Sequence, residues 1–301
     1  MRVAVTGSTG LIGRAVVERL EAEGHQTVRV LRAAGPTDPQ RSIVKWDPAA
    51  DQIEGEALED LDAVVHLAGE PIAARRWSDE QKRRIAGSRT RGTALLAGAL
   101  ARLDAPPSVL VSASAIGYYG DRGDERLDES SSGGSDFLAQ VCREWEAAAD
   151  PAREAGIRIA HPRTGVVLSQ SGGALAEMLP FFKLGLGGRI GSGRQWMSWI
   201  TLHDEVEILL WLLTADVEGP VNLTAPEPVT NRELTSALGR ALRRPTLLPT
   251  PKPALWARGG RELTEALLYS SARVEPALLL RHGFQFAHPD IATGLADVLA
   301  H

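Results

Sequence analysis

Three glycines within seven residues, Gly7, Gly10 and Gly13, stand directly behind an apolar run at 2–6 (RVAVT) and open an amphipathic stretch. An apolar run this short reads as a buried strand, and the stretch after it has the spacing of a helix over roughly 11–23, which Gly24 stops. A strand that must turn straight into a helix leaves little choice of backbone. Gly7 permits the tight turn, Gly10 lets the backbone approach a pyrophosphate, and Gly13 lets the helix pack close to the strand. The positive end of the helix then favours an anion at the same place. Residues Gly7, Ser8, Thr9, Gly10, Leu11, Ile12 and Gly13 are therefore expected to wrap the phosphates of a dinucleotide.

The same alternation continues down the chain. Runs at 26–31 (QTVRVL), 43–46, 62–67 (DAVVHL), 108–113 (SVLVSA) and 157–160 read as strands. Between them, Ser78-x-x-Gln81 resembles a capping box that opens a helix; further helical stretches run from about Thr90 to Leu103 and from about Ser135 to Ala155. This pattern predicts an α/β fold, a doubly wound parallel sheet covered on both faces. After Pro162 the character changes. A glycine-rich stretch at 185–193 leads into QWMSWI (195–200), then a helix near 203–214 and a second capping box, Thr230-x-x-Glu233. The expected organisation is a cofactor domain over 1–165, to which 200–225 returns, and a smaller interleaved substrate-facing lobe from 166–199 and 226–301.

Composition narrows the partners. In 301 residues, 44% hydrophobic and 24% charged, no apolar run approaches the roughly 20 residues of a membrane span. The net charge of −5 offers no global basic surface for nucleic acid. Cys142 is the single cysteine, which excludes a disulfide framework within one chain, and the histidines lack metal-binding spacing. Arg2 leads straight into a strand, so no signal peptide is expected. A cytoplasmic protein acting on a small molecule follows, with neither nucleic acid nor membrane as partner and no metal.

The second strand refines the cofactor. An NAD site places a carboxylate at its end to hold the ribose 2′-hydroxyl. Here Arg32 occupies that position, and the next carboxylate is Asp38. An arginine suits a 2′-phosphate, which argues for NADP(H) over NAD.

At this point the chain resembles the extended, epimerase-like branch of the short-chain dehydrogenase/reductase superfamily, whose nucleotide domain is of the Rossmann type. The resemblance rests on GSTGLIG (7–13), HLAG (66–69) and VSASAIGYYG (111–120). It extends through SRTRGT (88–93), PRTGVVLSQSGGAL (162–175) and PFFKLGLGGRIGSGRQWMSWI (180–200) to GFQFAHPD (283–290), as in poorly characterised epimerase-family proteins with an atypical active site. It implies cofactor contacts from Leu67, Ala68 and Gly69, from Arg89 with Arg84 a little earlier on the same helix, and from Thr164, Gly165 and Val167 near the nicotinamide. It also implies that Ser114 polarises a substrate carbonyl, with Ser112 beside the cofactor as the alternative. The superfamily's Tyr-x-x-x-Lys pair is absent: Phe137 and Val141 stand in its place and, with Trp145, form an apolar stripe at i, i+4 and i+8. Where the family usually reads Trp-Ile-His, this chain has Trp199-Ile200-Thr201. Tyr118 is the hydroxyl left to donate a proton, and the acidic run Asp121 to Glu129 reads as a solvated loop. Two functions follow as expectations: an NADP(H)-binding oxidoreductase or epimerase-like enzyme, or a non-catalytic NADP(H)-binding or redox-sensing protein.

Overall fold

The computed structural model describes residues 1–32, 42–247 and 249–300. The strands are β1 (Arg2–Thr6), β2 (Gln26–Arg32), β3 (Ser42–Asp47), β4 (Ala63–His66), β5 (Val109–Ser112), β6 (Arg158–Thr164), β7 (Val166–Leu168), β8 (Trp199–Thr201) and β9 (Gly219–Leu223). The principal helices are α1 (Leu11–Ala22), α2 (Asp79–Leu100), α3 (Phe137–Ala147), α4 (Gly173–Lys183), α5 (Leu202–Thr214), α6 (Asn231–Leu242) and α7 (Ile291–Ala300). One sheet runs β9-β6-β5-β4-β1-β2-β3, all parallel, and Gln52–Ile53 closes its edge antiparallel to β3. This is the Rossmann-type order, and it reverses direction between β1 and β4.

Both faces of the central strands are apolar because helices cover both. Val3 and Val5 of β1 and Val109 and Val111 of β5 face a core shared with α1 and α5. Ala4, Val64 and Leu110 point the other way, toward Leu96 and Leu100 of α2. Although α5 and β9 follow 200 residues into the chain, α5 packs on α1 and β9 pairs with β6, Val221 opposite Pro162. The remaining chain builds a second core from Leu175, Leu179 and Phe182 of α4, Leu234 and Leu238 of α6, and Leu295 of α7 around the fully buried Trp199. Among the described residues no helix is long and apolar enough to cross a membrane.

Three expectations are corrected. The two helices expected after Ser78 and from Thr90 are one, α2, capped by Ser78 Oγ accepting from Gln81 N–H. The stretch between them hid its period because Arg89, a charged residue, lies on the buried face beside Ile85. The stretch 135–155 is two helices, α3 and Asp150–Glu154; Pro151 lies in the first turn of the second, where its missing N–H is harmless, whereas inside one long helix it would break the ladder.

The acidic run is exposed at Asp121, Asp124 and Glu125, as expected of a solvated loop, but it is also a seam. Arg126–Leu127 pairs with Arg273–Val274, and Asp121 Oδ1 accepts from Ser271 N–H at 3.1 Å. Glu129 accepts the backbone N–H groups of Asn222 and Leu278, each at 3.1 Å. These carboxylates satisfy amides from distant parts of the chain, which charge patterning cannot reveal.

Candidate functional site

The glycine loop lies at the C-terminal end of β1, at the point where the strand order reverses and open α/β sheets bind ligands. Gly7 has φ +65°, and a Cβ there would fall 2.8 Å from the carbonyl of Leu67. A Cβ on Gly13 would fall 2.2 Å from the Gly7 oxygen, so the helix sits against the loop at a distance only glycine allows. Gly10 differs: its nearest neighbour is the Gly7 oxygen at 3.3 Å, and its other side is open. Gly10 is also the N-cap of α1 and brings no side-chain acceptor to the first turn, so that turn presents N–H groups outward. Ser8 is fully buried with its hydroxyl unpartnered among the described residues, while its carbonyl accepts from Arg29 at 3.0 Å. Thr9 is exposed, and Leu11 packs beside the Gly172–Gly173 turn of the lobe. Arg32, at the end of β2, is exposed; Asp38 lies outside the described residues.

Across the reversal, β4 ends at His66. Thr6 Oγ1 accepts the N–H groups of Leu67 (3.0 Å) and Ala68 (3.1 Å) and lies 2.7 Å from His66 Nδ1. With its acceptor sites taken, the hydroxyl gives its proton to Nδ1, and Nε2–H donates to Thr93 Oγ1 at 2.9 Å. Burial pushes the His66 pKa down to about 4, so the ring is a neutral strut. It fixes the backbone of Leu67 and Ala68 at the mouth of the crevice.

Arg89 rises beneath the same turn. Its guanidinium is buried, bonded to the carbonyls of Glu70 (2.9 Å) and Ile85 (3.2 Å), and 4.9 Å over the Trp145 ring. A Cβ on Gly69 would touch it at 3.1 Å. Burial lowers its pKa against the opposing charge of Glu70, whose side chain forms no salt bridge with it. Arg84 is not gathered here: it is exposed and paired with Glu80 one turn back.

Beyond Ser112, whose hydroxyl is buried and unpartnered among the described residues, a polar chain begins. Ser114 Oγ donates to Glu146 Oε1 at 2.7 Å, and Glu146 holds Arg163 in a two-pronged pair at 2.8 and 2.9 Å. Arg163 donates to Tyr119 OH (3.1 Å), which donates to Asn222 Oδ1 (2.7 Å). The Arg163 guanidinium also lies 3.4 Å from the centre of the Tyr118 ring. Burial pushes the Tyr119 hydroxyl up to about 12 and works to raise the Glu146 carboxyl, but the hydrogen bonds and charge of Arg163 outweigh that and hold Glu146 below its ordinary value. Ser114 thus spends its proton on Glu146, which corrects the expectation that it polarises a substrate carbonyl: toward a ligand it is an acceptor only. Tyr118 is half-buried, and its hydroxyl makes no hydrogen bond among the described residues.

The face that carries Tyr and Lys in the superfamily is filled. Phe137 meets Trp77 edge-on at 5.2 Å with the Lys82 ammonium 5.6 Å from its ring, and Val141 is buried. On the opposite side of β6, Thr164 donates to Glu205 Oε1 at 2.7 Å; among the described residues Glu205 Oε2 is buried without a partner, and burial pushes this carboxyl up to about 8. A Cβ on Gly165 would fall 2.5 Å from the Ser198 oxygen, and Val167 packs against the α1–α5 core.

Residues 3–224 match the model of the NAD dependent epimerase/dehydratase family. The chain belongs to that family. Residues 250–298 match a domain of unknown function, DUF1731. An epimerase family protein of Mycobacterium bovis is 47% identical over 294 residues, covering 97% of this chain and 96% of its own. The human epimerase family protein SDR39U1, crystallised with NADPH, superposes with TM-score 0.90 at 36% identity over 100% of both chains. UDP-glucose 4-epimerase of Thermus thermophilus, in complex with NAD, has TM-score 0.77 at 21% identity over 100% of this chain and 98% of its own, a likeness of fold. Within this epimerase-family framework, sequence reasoning missed Glu146, Arg163 and Glu205. Each is a charged residue at a position whose neighbours in the helix or strand face inward, and that mismatch is the signal that marks them.

Proposed function

We propose that the chain is an NADP(H)-binding protein of the cytoplasm, its cofactor domain formed by 1–165 together with 200–225. The observation that carries this reading is the glycine loop: Gly7 and Gly13 are locked against backbone, while Gly10 is open on its outer side above an uncapped helix end. The site's unused polar groups support it. Among the described residues the Ser8 hydroxyl is buried without a partner, and the buried Arg89 guanidinium bonds to carbonyls and to no carboxylate. Gly7 through Gly13 would hold the pyrophosphate, Arg32 the 2′-phosphate, Leu67 to Gly69 the adenosine side, and Arg89, Ser112, Thr164, Gly165 and Val167 the nicotinamide side. Such a cofactor supplies a hydride donor or acceptor.

The proposed reaction is hydride exchange with a small polar substrate. Phe137, half-buried against Trp77, and the buried Val141 leave no ionisable side chain at the two positions where the superfamily does its proton chemistry. Ser114, giving its hydrogen to Glu146, positions a ligand hydroxyl as an acceptor, and proton delivery falls to Tyr118. A second reading, an NADP(H) sensor without turnover, is favoured by the same two facts, the aromatic plug at Phe137 and the committed proton of Ser114.

Calorimetric titration with NADPH and NADH tests the cofactor. Arg32→Ala should weaken NADPH by about tenfold or more, the loss of a charge-assisted pair, and leave NADH nearly unchanged. Equal loss for both would refute the role of Arg32. Substrate-dependent oxidation of NADPH would end the sensor reading.

A further inference from the structure

Two stretches of the lobe, 178–203 and 234–261, contain no aspartate or glutamate; they hold three and six basic residues in a chain of net charge −5. They meet in space. Thr250 donates its N–H to the Arg189 oxygen at 2.9 Å and its hydroxyl to the Gly188 oxygen at 3.1 Å. A Cβ on Gly185 would lie 3.8 Å from the Pro245 ring.

At this junction the chain turns apolar side chains outward. Phe181 is 49% exposed, Leu184 73%, Leu186 62% and Leu247 88%, against 3% for Phe182 directly beneath. The backbone that presents them is fastened: Gly185 N–H bonds to the Phe182 oxygen and Leu186 N–H to the Phe181 oxygen, both at 2.9 Å, ending α4. Exposed Lys183 precedes Leu184 in the chain, exposed Arg243 and Arg244 precede the proline that packs on Gly185, and exposed Glu177 lies one turn before Phe181. Arg243 ends α6 in the left-handed region at φ 53°, and Arg244 N–H returns to the Gly239 oxygen at 2.9 Å.

An exposed apolar cluster rimmed by cations has two needs at once. A second copy placed face to face would set cation against cation. A nucleic acid would answer the cations and leave the leucines in water. An anionic lipid surface answers both, taking apolar side chains into the boundary between headgroup and acyl chain and the basic rim onto phosphates. We propose that this face docks the protein peripherally on an anionic membrane surface. The inference is independent of the cofactor reading. It also departs from the expectation of no membrane partner, which rested on the lack of a spanning run. A search for spans does not see a local patch.

The test is co-sedimentation of the full chain with vesicles of phosphatidylcholine alone and of phosphatidylcholine mixed with phosphatidylglycerol. Binding is expected to the anionic vesicles only. Leu184→Ser with Leu247→Ser, and separately Arg243→Glu with Arg244→Glu, should each weaken it by about tenfold or more while melting as wild type does. Absence of binding, equal binding to both vesicles, or variants that bind as wild type would overturn the proposal. So would a dimer that the leucine variants dissolve, or an oligonucleotide complex that needs the arginines and ignores the leucines.

Discussion

Glu205 is fully buried; Thr164 takes one of its oxygens and, among the described residues, nothing takes the other. Its carboxyl titrates at about 8 in the folded chain against an ordinary value of 4.5. Between those two values the folded protein keeps a proton that the unfolded chain releases. Stability from this site is therefore intact below 4.5 and declines as pH rises toward 8. At about 1.36 kcal/mol per pH unit, the full gap is worth about 5 kcal/mol, of which about 4 kcal/mol falls above pH 5. Unfolding entropy of roughly 2.1 cal/mol/K per residue turns that into a melting temperature lower by about 6 °C in a chain of this length. Glutamine at 205 keeps an acceptor for Thr164 and has nothing to ionise. Scanning fluorimetry from pH 5 to pH 9 should show the wild type losing about 6 °C more than Glu205→Gln. Parallel curves for the two proteins would mean that the carboxyl is wet or ionised when folded, and the argument from burial would fail.

The glycine loop and the buried ion pair make equally sharp expectations. Gly13→Ala drives a methyl to 2.2 Å from the Gly7 oxygen and should abolish the thermal shift given by NADPH along with about 2 kcal/mol or more of stability. Gly10→Ala, at 3.3 Å, should melt near wild type and lose the NADPH shift alone; a normal shift there would remove the phosphates from the loop's outer side. Arg163→Met leaves Glu146 buried without its cation and should cost about 3–5 kcal/mol in denaturant unfolding. Adding Glu146→Gln should recover part of that loss, and strictly additive effects would show that the two side chains do not act as a pair.

How much of this was legible in the sequence depended on how local the physics was. The β1–loop–α1 unit was readable because Gly7, Gly10 and Gly13 act on atoms within a few residues or on the strand next door. The plugged face of α3 was readable for the same reason, since Phe137, Val141 and Trp145 share one helical stripe. What failed was long-range satisfaction. Arg89 broke the apolar period of α2 because its partners are carbonyls, and the carboxylates of 121–129 looked solvated because the amides they serve lie about 90 to 150 residues away. The Ser114–Glu146–Arg163–Tyr119–Asn222 chain draws on four separate stretches, and no short window on the sequence contains it.

The return of α5 and β9 to the sheet also governs the order in which the protein can be made. When β6 leaves the ribosome at residue 164, its outer edge is unpaired and the α1 face of the sheet lacks the helix that covers it. Synthesis at roughly 5–20 residues per second brings residue 223 out about 3–12 s later. Through that interval the nascent chain holds a free parallel edge and a bare stripe of valines, the kind of surface that chaperones retain. Lobe and sheet must then close together, because the strand that finishes one is reached only through the other.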